Sequence, residues 1–144
     1  MNYIESAVAC FEDGFNCAQA IFSTYGVKFG LEREIALKTA TGFGGGIGAM
    51  GKTCGAITGA ILVLGLKFGQ TTLEDTQAKM KTFSLVIKLM KKFEELNRST
   101  TCKELIGCDL STLEGQKLAK EKNIVKTICP KFVKDAAEIL EQFI

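Results

Sequence analysis

Histidine and tryptophan are absent from this 144-residue chain, and proline occurs once. Without imidazole there is no serine or cysteine triad built on histidine, no histidine-ligated zinc or haem, and no CxxCH attachment site. Special chemistry is left to sulfur, carboxylates, lysines and backbone amides. An excess of one charge is also missing. Lys and Arg total 18 against 16 for Asp and Glu, and a net charge of +2 exerts no strong pull on nucleic acid or lipid headgroups. Neither nucleic acid nor a membrane is therefore expected as a partner. The uncharged run Thr53 to Leu66 has 14 residues, short of the roughly 18 to 20 that a bilayer core requires. Met1 to Cys10 carries Glu5 and has neither a basic segment nor a long apolar run, so no secretory signal is read there and a cytoplasmic location is expected.

What the chain does contain is the balance of a folded domain: 47% hydrophobic and 24% charged residues. A chain of this length forms one domain, burying about 70% of its unfolded surface. Ile4, Ala7, Val8, Phe11, Phe15, Ala18, Ile21, Phe22 and Tyr25 recur at helical spacing, predicting helix over the first 25 residues with an interruption at Asp13 and Gly14. Further helices are predicted over Glu32 to Ala40, Thr53 to Leu66, Thr72 to Asn97 (with Thr71 and Glu74 as a capping box), Cys102 to Ile106, Thr112 to Glu121 and Pro130 to Phe143. Gly42 to Gly51, GFGGGIGAMG, is too rich in glycine for helix or strand. Gly55 and Gly59 lie on one helical face and would let a neighbour approach. No run alternates with period two. The expectation is an all-α, single-domain bundle of six to seven helices over residues 1–144 with a glycine-rich loop.

The cysteines are the most informative residues. Four of the six share a context. Asn16 and Gln19 place Cys17 at the start of a helix, Thr53 precedes Cys54, Thr101 and Glu104 bracket Cys102, and Pro130 makes Cys129 a cap. A helix N-terminus carries about half a positive charge and can lower a cysteine pKa from about 8.5 toward 3.5 to 7.5. Four such ends meeting at one place could neutralise four thiolates around a metal or an iron–sulfur cluster. The separations of 37, 48 and 27 residues match no short zinc or ferredoxin pattern. Cys10, within a helix and without a cap, and Cys108, after Gly107, are read as structural.

Gly46 to Thr53 satisfies GxxxxGK[ST], with Lys52 as the phosphate-binding lysine, and Gly46, Gly48 and Gly51 satisfy GxGxxG. Both motifs need a preceding strand, and Glu34 to Ala40 reads as helix, so nucleotide binding is the weaker reading. The loop is expected to bring backbone close to another helix, a second subunit of a homodimer, or the sulfur site. Gly44, Gly45, Gly46 and Gly55 are the candidates for backbone near a cofactor. Lys117, Lys120, Lys122, Lys126, Lys131 and Lys134 form a basic stretch, read first as solvated surface and second as a guide for an acidic redox partner.

Phe15-Asn16-Cys17-Ala18-Gln19-Ala20, Gly42-Phe43-Gly44-Gly45-Gly46, Cys54-Gly55-Ala56-Ile57-Thr58-Gly59, Cys102-Lys103-Glu104-Leu105 and Cys129-Pro130-Lys131-Phe132-Val133 together resemble the C_GCAxxG_C_C family of redox-active proteins. The resemblance covers nearly the whole chain, and the family's four cysteines fall on Cys17, Cys54, Cys102 and Cys129. It implies a redox role. The family is also similar to the non-haem part of split-Soret cytochromes, for which an iron–sulfur site has been proposed; the haem motif is missing here. The leading expectation is that Cys17, Cys54, Cys102 and Cys129 bind an iron–sulfur cluster or other metal for electron transfer to a partner protein. The same four could instead cycle between dithiol and disulfide, with Cys54 and one of the others as the pair. A redox-inert structural zinc site is the alternative from another class, and a P-loop-like nucleotide module is the weaker one.

Overall fold

Gly14, at φ +120°, closes the first helix and lets the chain turn before Asn16 starts the second. That break is one reason the computed structural model, which describes residues 1–144, contains eight α-helices where six to seven were expected. In chain order they are α1 (Tyr3–Glu12), α2 (Cys17–Lys28), α3 (Arg33–Ala40), α4 (Gly55–Phe68), α5 (Thr76–Asn97), α6 (Cys102–Ile106), α7 (Leu113–Glu121) and α8 (Ile124–Glu141), with a 3₁₀ turn at Thr41–Phe43. The all-α class holds. The only β pairing is an isolated antiparallel bridge between Thr53 and Thr101.

Helix α4 is the centre of the bundle and packs against α2, α5 and α8. Its uncharged sequence follows from that position, since Gly55 to Ala60, Val63 and Leu64 are buried. No helix is long and apolar enough to cross a membrane. Gly55 and Gly59 face α2 as their spacing suggests. A Cβ on Gly59 would stand 2.8 Å from the Ala18 carbonyl oxygen, and one on Gly55 would stand 3.1 Å from Cys17 Cβ. Tyr25 on α2 is fully buried and donates its hydroxyl to Glu141 of α8 at 2.5 Å.

Two helix starts differ from expectation by four residues or more. Helix α5 begins at Thr76, not Thr72, because Asp75 is the N-cap and its carboxylate accepts from the Ala78 N–H at 3.1 Å; Thr71 and Glu74 form no capping box. Helix α8 begins at Ile124, so Pro130 lies inside it. An interior proline removes one hydrogen bond and crowds the carbonyl four residues back, at a cost of about 3 kcal/mol. Here Ile124 and Cys129 before it, and Phe132, Val133, Ala136 and Leu140 after it, are buried on the same core. That continuous apolar face offsets the local penalty.

Candidate redox site

Each of the four cysteines is carried by a different element. Cys17 opens α2, as its cap context predicts. Asn16 accepts from the Gln19 N–H at 2.9 Å, while Gln19 accepts from the Asn16 N–H at 3.0 Å. The same two side chains donate to the Thr41 and Leu37 carbonyls, tying α2 to the end of α3. Cys102 opens α6, but Thr101 makes no side-chain cap; Ser99 instead accepts from the Thr101 N–H and donates to Glu104. Cys54 is itself the N-cap of α4, one place earlier than expected. Cys129 is not a cap. It sits in the middle of α8, because the helix runs through the proline.

Cys54 and Cys102 are brought together by backbone. At the Thr53–Thr101 bridge, the Cys54 N–H donates to the Thr100 carbonyl at 2.9 Å and the Cys102 N–H donates to the Lys52 carbonyl at 2.6 Å. The glycine loop leads into this bridge. From Gly45 to Ala49 five consecutive residues have φ between +57° and +71°, so the loop coils left-handed. Ile47 and Ala49 hold that conformation without being glycine, at a cost of about 1–2 kcal/mol each. At Gly46 a side chain has no room: a Cβ would lie 2.6 Å from Cys102 Cβ and 2.6 Å from the Lys52 nitrogen.

Cys17, Cys54, Cys102 and Cys129 line one cavity of about 400 Å³, a volume typical of small-molecule and cofactor sites. Gly45, Gly46 and Gly55 line it too, and Phe11, Phe15, Leu105, Ile106 and Phe132 make its walls largely apolar. Gly44 does not line it and packs on Asn16. The amides of Gly45 and Gly46 have no hydrogen-bond partner in the chain although Gly46 is buried. An orphaned buried N–H is rare in folded proteins, and here it borders a cavity rimmed by sulfur.

The thiols do not share the low pKa expected from helix ends. Burial pushes Cys54 up to about 12, against the Ala56 and Ile57 amides that favour its thiolate. Burial, helped by neighbouring Cys129 and Cys108, pushes Cys102 up to about 11. Desolvation outweighs the helix-end field because burial removes the water that would stabilise a lone thiolate. Cys129 alone moves below the ordinary thiol range, because the neighbouring Cys17 thiol favours its thiolate; Cys17 is pushed up by the same interaction and by burial. All six cysteines are free thiols.

Residues 15–143 match the family described as "Putative redox-active protein (C_GCAxxG_C_C)". The chain belongs to that family. No curated protein and no solved structure matches it. The C_GCAxxG_C_C motif elements now have structural reasons. The cysteine of Cys54-Gly55-Ala56-Ile57-Thr58-Gly59 caps α4, and its two glycines admit α2. The Asn16 and Gln19 flanking Cys17 form the capping box, and the glycine run supplies the left-handed coil that seats Cys102.

The remaining candidates fall away from the cavity. The P-loop reading of Lys52 fails: no strand precedes the loop, and the Ile47, Gly48, Ala49, Met50, Gly51 and Lys52 amides all donate to carbonyls of the same loop region, leaving none of these to cradle phosphate. In the basic stretch, Lys131 pairs with Asp135 at 2.6 Å and Lys134 with Glu138 at 3.9 Å, acids one helical turn further on. Of that stretch only Lys126 borders the cavity. Cys10 is buried with its sulfur 3.7 Å from Ser23 Oγ, the structural role expected of it. Cys108 is also buried, and burial, with charge on Cys129 and Asp109, pushes its thiol up; it lies near enough to Cys102 to help raise that thiol in turn. Sequence spacing held one sign of this, since it lies six positions after Cys102 across a single short helix.

Proposed function

We propose that Cys17, Cys54, Cys102 and Cys129 hold an iron–sulfur cluster and that the protein carries electrons to a redox partner. The observation that carries this reading is the presence of all four sulfurs on one largely apolar cavity of about 400 Å³. A dithiol needs two cysteines; four from four elements suit a polynuclear group. No three of the Cys, Asp and Glu side chains stand close enough to grip one ion, which counts against a single structural zinc. The unpartnered Gly45 and Gly46 amides and the amides facing Cys54 are donors of the kind that tune cluster sulfur. A bound cluster would supply a one-electron couple. Anaerobic reconstitution with iron and sulfide should give a brown protein with sulfur-to-iron charge-transfer absorption, lost in Cys54→Ser. A colourless protein with stoichiometric zinc and no iron uptake would overturn the reading.

The Cys17–Cys129 contact supports a second reading, a dithiol. The Cys129 thiolate would attack a disulfide of a partner protein and expel one partner thiolate. Cys17 would then attack the Cys129 sulfur of the mixed disulfide, freeing the second thiolate, so that the partner gains two electrons as the Cys17–Cys129 bond forms. A stable mixed disulfide in Cys17→Ser, with metal-free wild type cycling normally, would replace the cluster reading by this one.

A further inference from the structure

Helix α5 carries two apolar stripes. Leu89 and Phe93 are buried against the bundle. Met80, Phe83 and Ile87, spaced three and four apart, form a second stripe about a third of a turn round the helix; they are 65%, 56% and 53% exposed. Large apolar side chains exposed together on one helix face mark an interaction surface. From Thr76 to Lys92 the helix has five lysines and no acid. Lys79 and Lys91 lie roughly 60° to either side of the stripe, and Lys79 Nζ stands 5.6 Å over the Phe83 ring. Lys88 is farther round. Lys81 and Lys92 are engaged elsewhere, over Phe68 at 4.3 Å and on Gln142 at 2.6 Å. The acids of this region lie beyond the stripe: Glu74 and the capping Asp75 before it, Glu94 and Glu95 after it.

We propose that this face of α5 lies on an anionic lipid surface, with Met80, Phe83 and Ile87 entering the headgroup boundary and Lys79, Lys88 and Lys91 meeting the lipid phosphates. An apolar stripe flanked by lysines on a helix already fixed to a core is the pattern of in-plane membrane attachment, which needs no spanning segment. The other occupants fit less well. A second copy packed antiparallel about position 85 would set Met80 against Met90 and Phe83 against Ile87, but Lys79 would then face the partner's Lys91, and like charges directly opposite repel. A helical partner protein would have to supply both an apolar groove for the stripe and acidic groups opposite Lys79 and Lys91. The net charge of +2 conceals the site because it averages α5 with acidic segments elsewhere.

The test is co-sedimentation of the whole protein with vesicles of phosphatidylcholine alone and of an equimolar phosphatidylcholine–phosphatidylglycerol mixture. Binding is expected only to the anionic vesicles, falling steeply with added salt. Phe83→Gln with Ile87→Gln should abolish it, and Lys79→Gln with Lys91→Gln should weaken it about five-fold per lysine. Both side-chain pairs are exposed, so unchanged helical circular dichroism will show that the variants fold. No binding to anionic vesicles, or binding indifferent to all four substitutions, would overturn the proposal. So would a wild-type dimer in sedimentation equilibrium that Phe83→Gln dissociates, since the face would then belong to a second copy. Cys54→Ser should bind vesicles as wild type does, which separates this surface from the sulfur site.

Discussion

Cys54 and Cys102 are placed by backbone, whereas Cys17 and Cys129 are placed by helices. The first pair is anchored by the Thr53–Thr101 bridge and seated against a left-handed glycine coil, so its geometry depends on main-chain hydrogen bonds and on the missing side chain of Gly46. The second pair is brought together by packing: α2 through its capping box and its close approach to α4, α8 through a buried face that carries the helix across Pro130. The electrostatics divide in the same way. Each backbone-held thiol is dominated by desolvation, while the helix-borne pair is dominated by its own contact. Burial alone keeps a thiol protonated; a second sulfur within hydrogen-bonding reach lets one member of a pair ionise.

The largest effect expected is that of Gly46→Ala. A Cβ there would meet both Cys102 and the Lys52 backbone at 2.6 Å, at a residue with φ +71°. We expect a loss of about 3 kcal/mol or more in urea unfolding, together with failure to take up iron and sulfide; a near-wild-type midpoint would show that the bridge does not depend on the coil. Next is the alkaline limit of the metal-free protein. Cys54 and Cys102 bind protons more tightly folded than unfolded, so their contribution is complete below about pH 9, the ordinary thiol value, and is lost as pH rises toward about 12 and about 11. Thermal melts from pH 8 to 11 should show a progressive loss that Cys54→Ala reduces.

Alkylation separates the two pairs directly. In metal-free protein at pH 8, Cys129, whose pKa is lowered, should react with iodoacetamide faster than Cys102, whose pKa is raised to about 11, as mass spectrometry of the modified peptides can read. Cys17→Ala should slow Cys129 and leave Cys102 unchanged. Equal rates at the two sites would remove the distinction. The smallest effects concern the caps. Asn16→Ala loses a side chain that accepts from Gln19 and donates to Thr41, and should cost about 1–2 kcal/mol. Thr101→Ala should fall within about 0.5 kcal/mol, because that threonine makes no cap hydrogen bond. Denaturant midpoints of the two variants, measured side by side, check the contrast.

Much of this architecture was legible beforehand because it is local. Helical periodicity, the Asn16–Gln19 capping box and the break at Gly14 depend on residues three or four apart, and all three appear as read. The errors also have local causes. Asp75 outcompeted Thr71 as a cap because its carboxylate reaches the Ala78 amide, and Cys54 took the cap position itself. Pro130 looked like a helix start, and only the buried residues on both sides of it show why the helix continues. In α5 the positions of α4 and α8 decide that Leu89 and Phe93 are the buried residues.

Composition and short-range pattern thus established an all-helical domain, a glycine segment of unusual backbone and four sulfurs as the residues worth following. Tertiary structure decided that those sulfurs, separated by 37, 48 and 27 positions, surround a common cavity. It also reversed the expected acidity of three of them. The reason is one of range: hydrogen bonding within a helical turn is encoded by neighbours along the chain, whereas desolvation and sulfur–sulfur contact arise from distant segments that meet only after folding.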